Sequence, residues 1–219
     1  MPMISLTAAD GHRLTAYRAG PQEAPRALVV AQEIFGVNRH IRNVCDRFAA
    51  EGYAVIAPAL FDRVGPGIEL GYEAADVAQG RELRARIDPG LTVLDVLAAA
   101  AALPRGAKRG IVGYCWGGTV AWHAATRTSA FAAASGWYGG GIAAAKDEVP
   151  RCRVQLHFGE ADASIPMADV AAIRAARPEV EVHVYGGGHG FGCDERGSYV
   201  EADYKLAQLR TLAFFAAAL

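Results

Sequence analysis

The sequence has almost no charge surplus: 22 Lys and Arg stand against 23 Asp and Glu, a formal net charge of −1 at pH 7 with histidine neutral. The basic residues are scattered, so no cationic face argues for nucleic acid or an anionic membrane as a partner. Cysteine is sparse too, with only Cys45, Cys115, Cys152 and Cys193, no Cys-x-x-Cys pair and no dense framework. That excludes a disulfide scaffold and, with no signal peptide at the start, predicts a reduced, cytoplasmic protein. Long apolar runs are missing, and none is longer than residues 96–103, which are far too few to span a bilayer. There is no internal repeat and no break in composition to mark a second domain. What is present is a chain of 219 residues, 52% hydrophobic, with mean hydropathy +0.12. That is enough for one sizeable core and is read as a single domain over 1–219.

Taken along the chain, residues 4–6 and 14–17 read as strands joined around Asp10-Gly11, a strong hairpin dipeptide. Residues 27–31 form a continuous apolar run, as expected of a strand buried on both faces. A helix over 39–51 places Ile41, Val44, Cys45 and Phe48 on one face, with Gly52 as its cap. A strand over 53–57 stops at Pro58, and 59–71 is irregular. Helices over 72–87 and 91–103 follow, then a strand, turn and helix centred on Cys115, and strands over 131–137, 154–158 and 181–185. A helix is expected from Pro166 to Ala176, with proline near its start, and a last one over 199–219 with Ser198 as N-cap. Strands alternating with helices predict a mostly parallel sheet covered on both faces.

The stretch that organises this pattern is Arg109-Gly110-Ile111-Val112-Gly113-Tyr114-Cys115-Trp116-Gly117-Gly118. An apolar strand turns abruptly into an apolar helix, with glycine two residues before and two after the cysteine. Gly-x-Cys-x-Gly is the nucleophile elbow of α/β-hydrolases with cysteine in place of serine. A buried structural cysteine in a glycine-rich turn would give the same pattern in this stretch.

In an open α/β sheet, functional groups gather beyond the C-terminal ends of the strands. One such end carries Gly159-Glu160-Ala161-Asp162, and a later one carries Gly188-His189-Gly190-Phe191. Cysteine, acid and histidine thus occur in the chain order that α/β-hydrolases use. Asp162 is the candidate orienting acid, with Glu160 its competitor, and a helix N-cap would be its structural role. His12, His40, His123, His157 and His183 lack a comparable setting and read as surface or core. A metal site from His183, His189 and Cys193 has no recognisable zinc spacing, so none is expected.

Four segments carry a resemblance over nearly the whole chain. Gln32-Glu33-Ile34-Phe35-Gly36-Val37-Asn38, Gly113-Tyr114-Cys115-Trp116-Gly117-Gly118, Gly159-Glu160-Ala161-Asp162 and Gly188-His189-Gly190-Phe191 look like the dienelactone hydrolase (carboxymethylenebutenolidase) family. The resemblance implies an α/β-hydrolase fold with a mostly parallel central sheet of about eight strands, an N-terminal hairpin and helices on both faces. It also implies a triad of Cys115, His189 and Asp162, with Glu33 holding the resting thiol and accepting its proton when substrate arrives. The backbone amides of Trp116 and Ile34 are the expected oxyanion donors. Phe35, Arg81, Trp137, Tyr138 and Phe191 are candidates for the substrate pocket. The family's carboxylate-binding arginines are not clearly matched: Cys193 stands where one would be, and Arg81, Arg84 and Arg86 only lie near the other.

The expected function is therefore hydrolysis of a small activated ester or lactone through an acyl-thioester, with no cofactor, by a monomer or small homo-oligomer. The alternatives are a broader carboxylesterase or thioesterase, and a non-catalytic module that binds a ligand or senses redox state.

Overall fold

The computed structural model describes residues 3–219. The strands form one eight-stranded sheet in the order β1-β2-β4-β3-β5-β6-β7-β8, numbered along the chain. By backbone contacts the chain divides into two compact units, Met1–Ile111 and Val112–Leu219, with the boundary inside β5 (Lys108–Tyr114). No helix among the described residues is long and apolar enough to cross a membrane.

In the first unit, β1 (Met3–Thr7) and β2 (Arg13–Ala19) form the expected hairpin, with Leu6 opposite Leu14. β2 also runs antiparallel to β4 (Ala54–Pro58), whereas β3 (Arg26–Ala31) runs parallel to β4. Leu28, Val29 and Val30 of β3 are wholly inaccessible to water, as the unbroken apolar run predicts. α1 (Arg39–Ala50) buries Ile41, Val44, Cys45 and Phe48 together with His40, and Asn38 caps it by accepting from the Ile41 amide.

The next two helices differ from expectation at their ends. α2 (Ala74–Ala85) starts two residues late, because Glu73 and Asp76 close a reciprocal capping box there. α3 (Pro89–Ala101) starts two residues early, with Pro89 at its first position and Asp88 accepting from Gly90 N at 2.6 Å. The irregular stretch between β4 and α2 holds one tight helical turn, Leu60–Arg63. Its Arg63 is paired with the buried Asp95 at 2.7 Å and with Asp10 at 2.8 Å.

The second unit contains α4 (Trp116–Arg127), β6 (Ala133–Trp137), β7 (Arg153–Gly159), α5 (Met167–Ala176), β8 (Glu181–Tyr185) and α6 (Glu201–Ala218). β6, β7 and β8 are parallel neighbours, with Trp137 beside His157 and His157 beside His183. Successive strand residues face opposite sides of a sheet. A Cβ on Gly136 would lie 3.2 Å from Gly118 O of α4, while the indole of Trp137 bonds Thr211 of α6. These two helices therefore cover opposite faces. α6 begins at Glu201 and not at Tyr199, and Ser198 does not cap it. The residues ahead of it are held elsewhere: Tyr199 N donates to Arg196 O, and Val200 N to Phe191 O.

Candidate active site

β5 ends at Tyr114 and α4 begins at Trp116, so the chain reverses within Cys115, whose φ is 55° and ψ −116°. Such a conformation is sparsely populated for an L-residue and costs about 1–3 kcal/mol. It persists because both sides of the residue are fixed. Cys115 N donates to Trp137 O at 2.9 Å, and Cys115 O accepts from Gly118 N at 3.0 Å. Glycine is obligatory at 113, since a Cβ there would lie 1.8 Å from Gly117 O, backbone against backbone. The sulfur stands at the start of α4, where helix amides favour negative charge.

The loops after β7 and β8 meet beside it. A Cβ on Gly159 would lie 2.2 Å from Gly187 O, so only glycine permits this approach. The loops are bonded through Glu160 N to Tyr185 O at 2.7 Å and Ala161 N to Gly187 O at 3.2 Å. This brings Asp162 Oδ2 to 2.7 Å from His189 Nδ1, and His189 Nε2 to 3.2 Å from Cys115 Sγ. The other oxygen of Asp162 accepts from Ser164 N at 2.8 Å, which fixes the carboxylate plane. Asp162 is buried and Glu160 is exposed, so the structure separates the two acids that the sequence left in competition. The helix that follows is capped by Pro166 and not by Asp162.

His189 is the most perturbed group in this cluster. Burial is the largest single influence and pulls its pKa down. The hydrogen bonds to Asp162 and Cys115, with the charges of those two groups, outweigh burial and raise it to about 10. The imidazole, set between sulfur and carboxylate, therefore holds its proton strongly.

The remaining candidates lie as follows. Glu33 and Ile34, just past β3, are buried, and the segment is anchored by Gln32, which accepts from Leu60 N at 3.0 Å and donates to Glu33 O at 3.2 Å. Phe35 is buried edge-on against Tyr72, with centroids 4.6 Å apart. Arg81 is exposed on α2. Trp116 is buried at the head of α4, and Trp137, Tyr138 and Phe191 are completely enclosed. The ring of Tyr138 stands edge-on to His189 at 5.3 Å, and Trp137 stacks on Phe191 at 5.7 Å. Both nitrogens of His189 are engaged inside the cluster, and His183 bonds Glu181 at 2.6 Å, so the two histidines have different partners.

Comparison with known proteins bears on the family and the fold. The model of the dienelactone hydrolase family matches residues 14–219. A carboxymethylenebutenolidase of Pseudomonas putida is 33% identical over 225 residues, covering 97% of this chain and 95% of that protein. A candidate carboxymethylenebutenolidase of Synechocystis is 38% identical over 192 residues, 78% of each protein. Among solved structures, a candidate dienelactone hydrolase from Klebsiella pneumoniae superposes with a TM-score of 0.83 at 31% identity, over 99% of both chains. An esterase of Pyrococcus furiosus, at 12% identity and a TM-score of 0.72 over 99% of this chain and 91% of that one, shares the fold.

Proposed function

This chain belongs to the dienelactone hydrolase family, and on that premise we propose that it cleaves small activated esters or lactones through Cys115, His189 and Asp162. It is an α/β-hydrolase that acts on ester bonds. The observation that carries the finer reading is the contact of 3.2 Å from Cys115 Sγ to His189 Nε2, continued at 2.7 Å to Asp162. A hydrolase of this type needs a nucleophile within reach of a base that is itself oriented by a third group.

In this scheme the Cys115 thiolate attacks the carbonyl carbon while its proton rests on His189. The oxyanion is held by the amides of Trp116 and Ile34. Collapse breaks the carbon–oxygen bond, and His189 returns the proton to the departing alkoxide or enolate. A water then attacks the thioester with His189 as base, releasing the acid and restoring the thiol. Asp162 holds the imidazole in the tautomer with Nδ1 protonated and stabilises its charged form. Glu33 guards the resting thiol, accepts its proton when substrate enters and passes that same proton on to His189, so one proton leaves the sulfur and one reaches the leaving group. Thiol, imidazole and carboxylate supply the whole reaction, so the scheme draws on no cofactor.

Phe35, Arg81, Trp137, Tyr138 and Phe191 complete the reading as the groups that shape the substrate site. Residues 1–219 act in it as one domain, a reading supported by a family model that runs unbroken from residue 14 to 219. A reduced cytoplasmic setting suits a thiol nucleophile.

The test is turnover of p-nitrophenyl acetate, of neutral esters and of cis- and trans-dienelactone, with mass spectrometry of acid-quenched protein. An acyl adduct on Cys115 is expected, and Cys115→Ala should abolish turnover. Unchanged hydrolysis in that variant would refute the nucleophile assignment. Equal rates on neutral esters and lactones would favour a broader carboxylesterase.

A further inference from the structure

Beyond its exposed first residue, Arg153, β7 carries two polar side chains, Gln155 and His157, in an otherwise apolar stretch, and both are buried. Nothing in the triad uses them. Gln155 Nε2 donates to Glu181 Oε1 at 3.0 Å, which turns its carbonyl oxygen toward His157 Nε2 at 2.9 Å. His157 Nε2 must therefore carry the proton, and Nδ1 accepts from the Tyr185 hydroxyl at 2.8 Å. Thr211 Oγ1 lies 3.1 Å from the same Nε2 and accepts from the indole nitrogen of Trp137 at 3.2 Å. One neutral imidazole thus ties β7 to β8, to α6 and, through Thr211, to β6. Burial, then the nearby charges of His183 and Arg210, push its pKa well down and keep it neutral.

The elements it ties are those that carry the triad. The chain runs from His157 to Asp162 in five residues and from Tyr185 to His189 in four. His157 O accepts from Tyr138 N at 2.7 Å, next to Trp137, whose carbonyl holds Cys115 N. The ring of Tyr185 also packs on Phe191, two residues past His189, at 5.0 Å.

We propose that His157 is a positioning residue: by bonding Tyr185, Gln155 and Thr211 it sets the register of the two strand ends from which Asp162 and His189 project. An aliphatic side chain would fill the same space without fixing how far β8 stands along β7. Apolar contacts are non-directional, whereas this set of bonds closes in only one register. The inference rests on the reading of Cys115, His189 and Asp162 as the triad.

The test compares His157→Phe, Tyr185→Phe and the double variant; the control for lowered stability is Glu148→Gln, which removes charge from the bonds Glu148 makes to Thr126 and Arg127 at the C-terminal end of α4. Steady-state kinetics and the pH profile of Cys115 alkylation by iodoacetamide are read on each folded protein. Loss of register should lower kcat by about ten- to a hundredfold with KM within about twofold, and should displace the alkylation profile. Tyr185→Phe should act in the same direction, and the double variant should be no worse than His157→Phe alone, because both remove one shared link. The control should lose stability yet keep kcat and its alkylation profile. The proposal is overturned if kcat stays within about twofold and the alkylation profile is unmoved in Tyr185→Phe and His157→Phe. If His157→Phe does not fold, Tyr185→Phe decides alone. Failure of the triad reading would appear separately, as activity surviving in Cys115→Ala.

Discussion

Replacing Asp162 with asparagine isolates the charge that holds His189. In the native site, burial pulls the imidazole down, and its bonds to Asp162 and Cys115 with their charges raise it to about 10 from an ordinary 6.5. At 1.36 kcal/mol per pKa unit, the rise from 6.5 to about 10 favours the imidazolium by about 5 kcal/mol. Asparagine keeps the shape but removes the charge, and its amide can stabilise the wrong tautomer. Burial is then opposed by Cys115 alone, and the His189 pKa should fall back toward its ordinary value. In a Ser-His-Asp protease the same change costs about 10⁴-fold in turnover, and a loss of about 10³–10⁴ in kcat/KM is expected here. The stability effect has a definite sign. Because the folded pKa is raised, the charged histidine contributes stability fully below 6.5 and loses it as pH rises through about 10. The melting-temperature gap between native protein and variant should therefore be widest near pH 6 and close near pH 11. The assays are thermal melts across that range and the pH profile of Cys115 alkylation. A gap that stays constant with pH, together with superimposable alkylation profiles, would refute the argument.

Three further outcomes are expected. Gly113→Ala places a Cβ 1.8 Å from Gly117 O, which no side-chain rotation relieves, so chemical denaturation should show a loss of at least about 3 kcal/mol. Glu148 is held at a pKa of about 2, chiefly by its bonds to Arg127, so the native protein's advantage over Glu148→Gln should be present above pH 4.5 and vanish as pH falls through about 2 in acid titration. Glu33→Gln should slow turnover and make Cys115 more sensitive to peroxide, and a variant unchanged in both rate and peroxide inactivation would remove Glu33 from the mechanism.

The elbow and the two loops were legible because their chemistry demands particular residues in a particular chain order. Helix ends were less so. α3 is expected from Leu91 and starts at Pro89, because proline is well placed in a first turn, where its missing N–H costs nothing. The start of α6 depends on Val200 N bonding Phe191 O, a contact between segments that no local pattern announces. The choice between Glu160 and Asp162 also needed the loop crossing, since the turn buries one acid and exposes the other. His157 reads as surface or core from its own segment for a related reason. The clue was present, in polar residues at alternating positions of both β7 and β8, but their partnership depends on the register Gln155–Glu181 and His157–His183. Strand pairing is a property of the folded sheet and not of either strand.

α4 carries a consequence for how the molecule assembles. Every residue from Trp116 to Thr126 is buried, so the helix has no water-facing stripe. An amphipathic helix can form early and wait for its partners, but one that is buried on every side gains little from forming in water. Its folding must coincide with closure of β5 and β6 around it. The turn at Cys115 would thus be among the last parts of the chain to take shape, and regain of activity on refolding should follow the final tertiary signal and not the recovery of helix content.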